Sequence, residues 1–261
     1  MISDLNTPFS FVVMGIITNE AKEALLCEYT YTSPFHFIAI DNFLKDEYAN
    51  QAYRTLLNFN INKADYKYYD DKWEYKKYAY KNNLGAFFDM LFDYFHSDEF
   101  IDYIEKLTGI KNIIRNDKTL VGAGIHQTYP GGYLNVHTDF NTYTSEKYGR
   151  LDRRINLLIY LNPDWIDAYN GHLYMCEWVT MTAKYRIAPL FNRCVIFNTT
   201  KSSLHGHPFP LATPEGVNRQ SIAIYYYTKN TNHPYDFEGR EKALVHYFTT
   251  SEIDFSGAET L

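Results

Sequence analysis

The sequence has few cysteines, no excess of basic residues and no apolar run long enough to cross a membrane. Its three cysteines, Cys27, Cys176 and Cys194, are far apart and form no CxxC pair. That spacing argues against a disulfide framework or a zinc knuckle and indicates reduced thiols in a cytoplasmic protein. The net charge of −6 argues against nucleic-acid binding. The longest N-terminal apolar run, at 9–17, is too short for a bilayer and predicts a buried strand, so no membrane partner is expected.

What the chain has in abundance is tyrosine, 25 of 261 residues, within a hydrophobic share of 46%. A share of that size indicates a folded globular chain rather than a disordered one. Internal repeats and low-complexity linkers are absent from the sequence. We therefore expect a single domain over residues 1–261. Nothing in the pattern reports an oligomeric state.

The first part of the chain has helical periodicity. Apolar residues recur at helical spacing over 41–58, with Asn42 as the expected N-cap. The stretch 87–109 predicts two helices broken near Ser97, which would cap the second, and Gly109 would end it. A Tyr/Lys-rich stretch at 66–81 is interpreted as a solvated amphipathic segment, and a lid that faces the substrate is the alternative.

From about residue 118 the pattern changes to short apolar, β-branched and aromatic runs separated by turn signals such as Pro-Gly-Gly at 130–132. Because no helical pattern lies between these runs, they favour an antiparallel sandwich or barrel, with the helices packed outside it. The predicted strands are 120–129, 133–140, 153–162, 171–178, 193–199 and 219–228.

His137 and Asp139 lie two apart in the predicted strand 133–140, within GGYLNVHTDF. Residues i and i+2 of a strand point to one face, so this pair could hold one cation. With a second imidazole they would form the two-histidine, one-carboxylate face typical of mononuclear non-haem Fe(II) sites. The candidates for the second imidazole are His205 and His207. The alternative is a surface pair that hydrogen-bonds to turns.

Arg219 opens the apolar strand 219–228 and follows the two candidate histidines in the chain. A buried guanidinium without a partner is very costly, and its planar fork suits a carboxylate. A metal site beside such an arginine predicts a dicarboxylate ligand that binds the metal at one end and the arginine at the other. Ser221 would face the same way as Arg219. The alternative for Arg219 is a surface ion pair with Glu215.

Three segments, taken in order, carry a resemblance to a known family: HQTYPGGYLNVHTDFN, RRINLLIYLNPDW followed by NGHLYM, and FNTTKSSLHGHPFP with NRQSIAIYYYT. Together they resemble the 2-oxoglutarate- and Fe(II)-dependent oxygenases, in the prolyl 4-hydroxylase-like branch. The resemblance implies a mainly β fold with flanking helices, in which a double-stranded β-helix (a jelly roll, cupin-like) forms the core. The catalytic core would be 118–228, supported by residues 1–117 and followed by a tail at 229–261.

The resemblance also implies the metal ligands. His137 and Asp139 match the HxD motif, and His205, which precedes a glycine, matches the distal histidine. His207 remains the less favoured alternative for the distal ligand. The cofactors would be Fe(II), 2-oxoglutarate and O2.

The remaining roles concern 2-oxoglutarate. Arg219 matches the basic residue that binds its distal carboxylate, although it lies further beyond His205 than is usual in the family. We expect a longer turn between strands to account for the difference. Tyr160 matches a tyrosine that shares this role, and Tyr129 matches one nearer the iron. Ser221 could donate its hydroxyl.

The activity implied is that of a dioxygenase that hydroxylates an aliphatic carbon of a small molecule or a peptidyl residue, with release of succinate and CO2. Asp139 favours hydroxylation, because the related halogenases lack this carboxylate. Within that branch, amino-acid or peptidyl substrates are favoured. The alternative is a cupin-like binding or sensor domain without catalytic activity.

Overall fold

The structure is a computed structural model, and it describes residues 15–24, 28–29, 33–70, 72–116, 123–229 and 245–261. Most of the strand predicted at 9–17 lies outside these ranges, as do Cys27 and residues 230–244 of the predicted tail. No helix in the described part is both long enough and apolar enough to cross a membrane.

Four helices and thirteen strands make up the regular structure of the described residues. The helices α1 to α4 are Asn19–Glu23, Asp46–Leu56, Ala86–Phe95 and Asp98–Thr108, with single 3-10 turns at Ile61–Lys63 and Asp167–Tyr169. The strands β1 to β13 are Phe37–Ile40, Tyr66–Asp70, Glu74–Tyr80, Gly124–Thr138, Thr142–Ser145, Gly149–Tyr160, Leu173–Glu177, Thr182–Ile187, Cys194–Asn198, Leu204–His207, Arg219–Lys229, His246–Phe248 and Glu259–Thr260.

The strands form one curled sheet in the order β1-β9-β6-β11-β4-β10-β7-β8-β13, and the pairing is antiparallel except between β13 and β8. The hairpin of β2 and β3 joins β4, which also pairs with β12, while β5 pairs with β6. The sheet encloses a cavity on one face and carries the helices on the other. This is the predicted mainly β, jelly-roll architecture with flanking helices.

The side chains of β11 alternate between these two faces of the sheet. Ile222, Ile224 and Tyr226 pack into the cluster formed with the helices, whereas Ser221 and Tyr225 line the cavity. Side chains of a strand alternate in this way because successive Cβ atoms point to opposite faces. Each fully buried Ile or Phe in the helix-facing cluster contributes about 1.5–3 kcal/mol relative to leaving it in water.

Helix α4 begins and ends where its sequence predicts. The Oγ of Ser97 accepts a hydrogen bond from the backbone N–H of Phe100 at 3.3 Å. Gly109 ends the helix in a left-handed conformation with φ of 73°, which glycine adopts without steric cost. Between these caps, Phe100, Ile104 and Leu107 face the core.

The predicted N-cap at Asn42 is wrong. Helix α2 begins later, at Asp46, and Asn42 has φ of 49° outside it. The reason is the side chain of Asn192, whose Oδ1 accepts from the N–H of Leu44 at 2.9 Å and whose Nδ2 donates to its carbonyl at 2.7 Å. This long-range contact keeps Phe43 and Leu44 in an extended, buried segment.

The Pro-Gly-Gly sequence at 130–132 does not separate two strands, as the turn signal predicted, but lies within the single long strand β4. It makes a bulge, because Tyr75 pairs with Tyr133 while Lys77 pairs with Thr128. A Cβ on Gly132 would lie 2.7 Å from the backbone oxygen of Tyr75. Only glycine therefore allows the two backbones to approach this closely.

The stretch 66–81 is a hairpin of the sheet rather than a solvated segment. Its strand β3 pairs with β4, and Tyr78 and Tyr80 are buried. On the opposite face, Glu74 and Lys77 line the cavity. The period-two alternation of tyrosine with lysine was the signal for these strands, and it was missed.

Candidate active site

His137, Asp139 and His205 come together at one end of the cavity. His137 lies at the C-terminal end of β4 and Asp139 directly follows this strand, while His205 of β10 pairs with His137. Their ligand atoms all lie within 4.8 Å of one another. The Nε2 of His137 is 3.7 Å from Asp139 Oδ1, and the Nε2 of His205 is 3.4 Å from Asp139 Oδ2. Three donors so close together could share one ion.

Both imidazoles are oriented by backbone carbonyls. The Nδ1 of His137 lies 2.9 Å from the carbonyl oxygen of Asn135, and the Nδ1 of His205 lies 2.9 Å from that of Ser203. A carbonyl accepts a hydrogen bond, so each Nδ1 carries the proton and each Nε2 keeps its lone pair. Burial lowers the pKa of His205 to about 4, which keeps its ring neutral and able to bind a metal.

Asp139 is held by two side chains that the sequence interpretation missed. Its Oδ2 accepts hydrogen bonds from Arg153 Nη2 at 2.9 Å and from Asn156 Nδ2 at 2.7 Å. Burial alone would raise the pKa of Asp139, but the Arg153 charge and the two histidines hold it well below its usual range. The carboxylate is therefore ionised. The available signal was the presence of Arg153 and Asn156 within the mostly apolar strand 153–162.

The guanidinium of Arg153 is itself fixed by its surroundings. Its Nε donates to Asn156 Oδ1 at 2.9 Å, and its Cζ lies 3.5 Å from the ring centroid of Tyr225 and 4.8 Å from that of Phe140. A cation stacked on aromatic faces and hydrogen-bonded at its edge has little freedom to move. Arg153 thus fixes the Asp139 carboxylate.

His207, the alternative distal ligand, is not part of the three-residue group. It lies in the same strand as His205 and lines the same cavity, but it pairs with Leu134 instead of His137. Burial, followed by the charges of Arg219 and Lys77, holds its pKa well below the usual range.

Arg219 lies elsewhere along the cavity wall. It is 6% exposed, its Nε donates to the carbonyl of Gly171 at 2.7 Å, and its Nη2 donates to Tyr160 Oη at 3.2 Å. Among the described residues no carboxylate pairs with it, and the alternative of an ion pair with Glu215 is not found. A buried cation in this state needs an anionic ligand.

The other residues predicted to bind the co-substrate divide between the two faces of the sheet. Tyr160 is fully buried beside Arg219, and Ser221 lines the cavity. Tyr129 does not lie at the cavity: its ring packs on that of Tyr78, with centroids 4.9 Å apart, against the helix-facing core. The reason is strand alternation, because Thr128 takes the inward position and its neighbour must point outward.

The long connection between His205 and Arg219 is accommodated as expected. Residues 208–218 contain no helix or strand and join β10 to β11. Both strands pair with β4. The extra residues therefore leave both side chains directed into the cavity.

The β2–β3 hairpin and β12 form a further part of the cavity wall. Tyr247 pairs with His137, and its hydroxyl donates to Glu74 Oε1 at 2.7 Å. Lys77 Nζ lies 2.8 Å from Glu74 Oε2. Burial alone would raise the pKa of Glu74, but Lys77 and the Tyr247 hydroxyl outweigh it and lower the pKa. Tyr247 was not predicted to belong to the site, whereas Glu74 and Lys77 lie in the stretch 66–81, for which a lid that faces the substrate was the alternative.

The cavity has a volume of about 240 Å³. Two imidazoles that bind through Nε2 and one carboxylate on one face of an ion are the donor set of non-haem Fe(II) sites, and they leave about three positions open. The residues present therefore fit an iron ion. A diacid could bind that ion at one end and Arg219 at the other.

Comparison with known proteins agrees with this chemistry. A family model described as the 2OG-Fe(II) oxygenase superfamily matches residues 123–227. This range contains all three members of the metal-ligand group and Arg219. No curated protein matches the sequence.

Three solved structures share the fold. A prolyl hydroxylase from Trichoplax adhaerens, in complex with a hypoxia inducible factor oxygen degradation domain peptide fragment, has a TM-score of 0.56 at 16% identity and covers 80% of this chain and 89% of its own. A Pseudomonas putida prolyl-4-hydroxylase has a TM-score of 0.54 at 12% identity, covering 78% and 98%. A prolyl 4-hydroxylase from Phytophthora capsici has a TM-score of 0.55 at 17% identity, covering 86% and 68%.

Residues 123–227 of the chain match the 2OG-Fe(II) oxygenase superfamily, and the fold of the chain is similar to that of the prolyl hydroxylases. The family match and the metal-ligand group identify a 2-oxoglutarate-dependent dioxygenase whose cofactors are Fe(II), 2-oxoglutarate and O2. These predictions from the sequence are confirmed.

Proposed function

We propose that this dioxygenase hydroxylates an unactivated aliphatic carbon of an amino acid or a peptidyl residue. The observation that carries the proposal is the cavity itself, which has three metal-ligand groups at one end and a buried arginine without a carboxylate partner further along. Overall, 2-oxoglutarate, O2 and a substrate C–H would give succinate, CO2 and a C–OH group. One atom of O2 enters succinate and the other enters the substrate.

In this proposal His137, Asp139 and His205 hold Fe(II). Iron bound there would activate O2 for its reaction with 2-oxoglutarate. The protein contributes pre-oriented ligands, because Nδ1 of each histidine is already bonded to a carbonyl and Asp139 Oδ2 is bonded to Arg153 and Asn156. Asp139 Oδ1 and the two Nε2 atoms then remain for the metal, with little reorganisation on binding.

Arg219 binds the distal carboxylate of 2-oxoglutarate. Two of its donors are committed to Gly171 and Tyr160, which orients the guanidinium and leaves further N–H groups for a carboxylate. The hydroxyls of Tyr160 and Ser221 complete the polar end of the site. Arg219 is neutralised only when the diacid is present, so the diacid should bind tightly.

The space that remains favours a small group of the substrate. A cavity of about 240 Å³ lies below the roughly 300–1,000 Å³ of pockets that bury a whole drug-sized ligand, and it must also hold 2-oxoglutarate. Tyr68, Phe140, Tyr225 and Tyr247 supply aromatic walls for an aliphatic group. A side chain projecting from a peptide or an amino acid fits this space, and the peptide present in the Trichoplax adhaerens structure supports it.

We further propose that the chain forms one oxygenase domain in the cytoplasm. The helices of 1–117 and the strands of 118–228 share one core cluster, in which Phe100 packs with Ile222 and Ile224. The tail contributes β12, which pairs with the ligand strand β4. Cys176 and Cys194 are buried free thiols, which suits a reducing compartment.

The test is formation of succinate from 2-oxoglutarate with Fe(II) and O2, first alone and then with a panel of peptides and free amino acids. The wild-type protein should form succinate, and His137→Ala should abolish it. Arg219→Ala should mainly raise the KM for 2-oxoglutarate. His246→Ala and Arg150→Ala, at exposed positions, are the matched controls and should match the wild type. Turnover by His137→Ala at the wild-type rate would refute the assignment, and binding of both cofactors without turnover would favour a sensor domain.

A further inference from the structure

His207 is directed into the cavity by the local structure of β10. It lies two residues beyond His205, on the same face of the strand, and both line the cavity. Gly206 between them faces the backbone of β4, where a Cβ would lie 2.7 Å from the carbonyl oxygen of Asn135. The close approach at Gly206 therefore fixes the alternation. His207 cannot turn away from the cavity without moving His205 as well.

The sheet register places His207 between the metal-ligand group and Arg219. Along β4, His205 pairs with His137, His207 pairs with Leu134, and Arg219 pairs with Thr128. A diacid that spans the distance from the metal to Arg219 must pass this part of the wall. His207 is the histidine on its path.

The Nδ1 of His207 is buried without a hydrogen-bond partner among the described residues. The imidazoles of the metal-ligand group differ, because the Nδ1 of His137 and that of His205 each bond a backbone carbonyl. The His207 side chain is only 3% exposed, so bulk water does not replace the missing partner. Buried polar atoms are almost always paired, and an exception in a cavity points to a ligand.

The surroundings of His207 indicate what that ligand is. Apart from burial, the groups that act most strongly on its ring are the cations Arg219 and Lys77, followed by His137 and His126. The two cations offer donors but no acceptor. Glu74, the acid of the hairpin that lines the cavity, is already bonded to Lys77 and Tyr247. The missing group is therefore an oxygen acceptor, and an anionic one would also satisfy the two cations.

We propose that His207 is a 2-oxoglutarate-binding residue, whose Nδ1–H donates a hydrogen bond to an oxygen of the diacid as it lies between the metal and Arg219. This inference rests on the proposed function, namely that the cavity holds 2-oxoglutarate. It also gives the second histidine of the LHGH sequence a role distinct from that of a metal ligand.

The test measures binding without turnover. Protein loaded with Mn(II) in place of iron is titrated with 2-oxoglutarate by isothermal calorimetry, and Mn(II) binding is measured separately. His207→Leu should weaken 2-oxoglutarate binding by about tenfold, the loss expected for one hydrogen bond to a charged group, with Mn(II) affinity unchanged. His207→Asn, whose amide nitrogen occupies nearly the place of Nδ1, should restore most of the affinity. His205→Leu should instead lose Mn(II).

Several outcomes separate this proposal from the proposed function. Wild-type affinity for 2-oxoglutarate in His207→Leu would overturn the proposal alone. Loss of Mn(II) binding in His207→Leu but not in His205→Leu would overturn it by making His207 the metal ligand. If the wild-type protein binds no 2-oxoglutarate, both conclusions fail. Thermal melting checks that each variant is folded. If His207→Leu is unfolded, His207→Gln replaces it in the test. The Gln side chain moves the polar group toward the Nε2 position, so 2-oxoglutarate binding should again be weaker than in the wild type.

Discussion

The contact between Arg153 and Asp139 offers the sharpest test of the electrostatics of the site. Arg153→Met would keep the length of the side chain and its packing against Tyr225 but remove the charge and the 2.9 Å hydrogen bond to Asp139 Oδ2. The carboxylate would then keep only the bond from Asn156. A buried ion pair broken on one side leaves an uncompensated charge, which costs about 3–5 kcal/mol.

The expected size of the effect follows from burial. The side chain of Arg153 is 1% exposed and that of Asp139 is 12% exposed, so solvent screens the pair little. We expect the metal-free variant to lose about 3–5 kcal/mol of unfolding free energy in urea titrations. For a chain of this size each kcal/mol corresponds to roughly 2–4 °C, so Tm should fall by about 6–20 °C.

Two further variants complete this experiment. Arg150→Met, an exposed position in the same strand, should stay within about 0.5 kcal/mol of the wild type. The double variant with Asp139→Asn should be more stable than Arg153→Met alone, because the unpaired charge is gone and the two sites are coupled. A stability of Arg153→Met within about 0.5 kcal/mol of wild type would refute the reasoning, since that range is typical of surface substitutions.

Three other predictions concern the surroundings of Arg219 and the part of the cavity wall that the β2–β3 hairpin forms. Gly171→Ala should raise the KM for 2-oxoglutarate about tenfold, because the new Cβ, at a φ of +76°, would lie 2.7 Å from Leu211 Cδ2, 3.0 Å from Trp165 Cζ2 and 3.2 Å from Arg219 Cδ. Relief of these contacts would displace the Arg219 guanidinium, and the loss of one charged hydrogen bond is worth about that factor. Tyr160→Phe should raise the same KM by roughly two- to tenfold, since one hydrogen bond to Arg219 is lost. Glu74→Gln should lower the stability at neutral pH in urea unfolding, and the difference from wild type should vanish in acid. Burial raises the pKa of Glu74 but Lys77 lowers it overall, so its contribution is fully present above the ordinary pKa of about 4.3 and is lost as pH falls through the lower folded-state pKa.

For each of these three predictions a control or a specific result can contradict the reasoning. Gly149→Ala shares the positive φ of 73° but has no atom within 4 Å of the new Cβ, so its KM should not change. If it rises as in Gly171→Ala, the steric argument fails. For Tyr160→Phe, an unchanged KM at unchanged Tm would contradict the contact with Arg219. For Glu74→Gln, a stability difference that persists at pH 2 would show that the ion pair is not its source.

Much of the fold could be predicted because local periodicity and the buried faces agree. The cap at Ser97, the stop at Gly109 and the alternation in 219–228 each follow from nearby residues alone. The prediction failed where a distant residue decides the local structure. Asn192 holds Phe43 and Leu44 extended, and nothing near α2 in the sequence reports that contact.

The residues of the candidate site also differ in whether nearby sequence alone predicts their role. His137 and Asp139 are recognisable because two residues of a strand share a face, and Arg219 because a charged residue opens an apolar strand. The same rule shows why Tyr129, next to the inward-facing Thr128, turns to the other face. Arg153 acts on Asp139 across fourteen positions of the chain, so only the sheet brings them together.

The central claim is that His137, Asp139 and His205 hold one iron that 2-oxoglutarate joins while Arg219 binds its far end. The most direct measurement is an anaerobic titration of the Fe(II)-loaded protein with 2-oxoglutarate, followed in the visible spectrum. The wild type should develop the weak charge-transfer band of a chelated 2-oxo acid, His205→Ala should not, and Arg219→Ala should need more 2-oxoglutarate to reach it. A folded wild-type protein that shows no band, or an unchanged band in His205→Ala, would contradict the account.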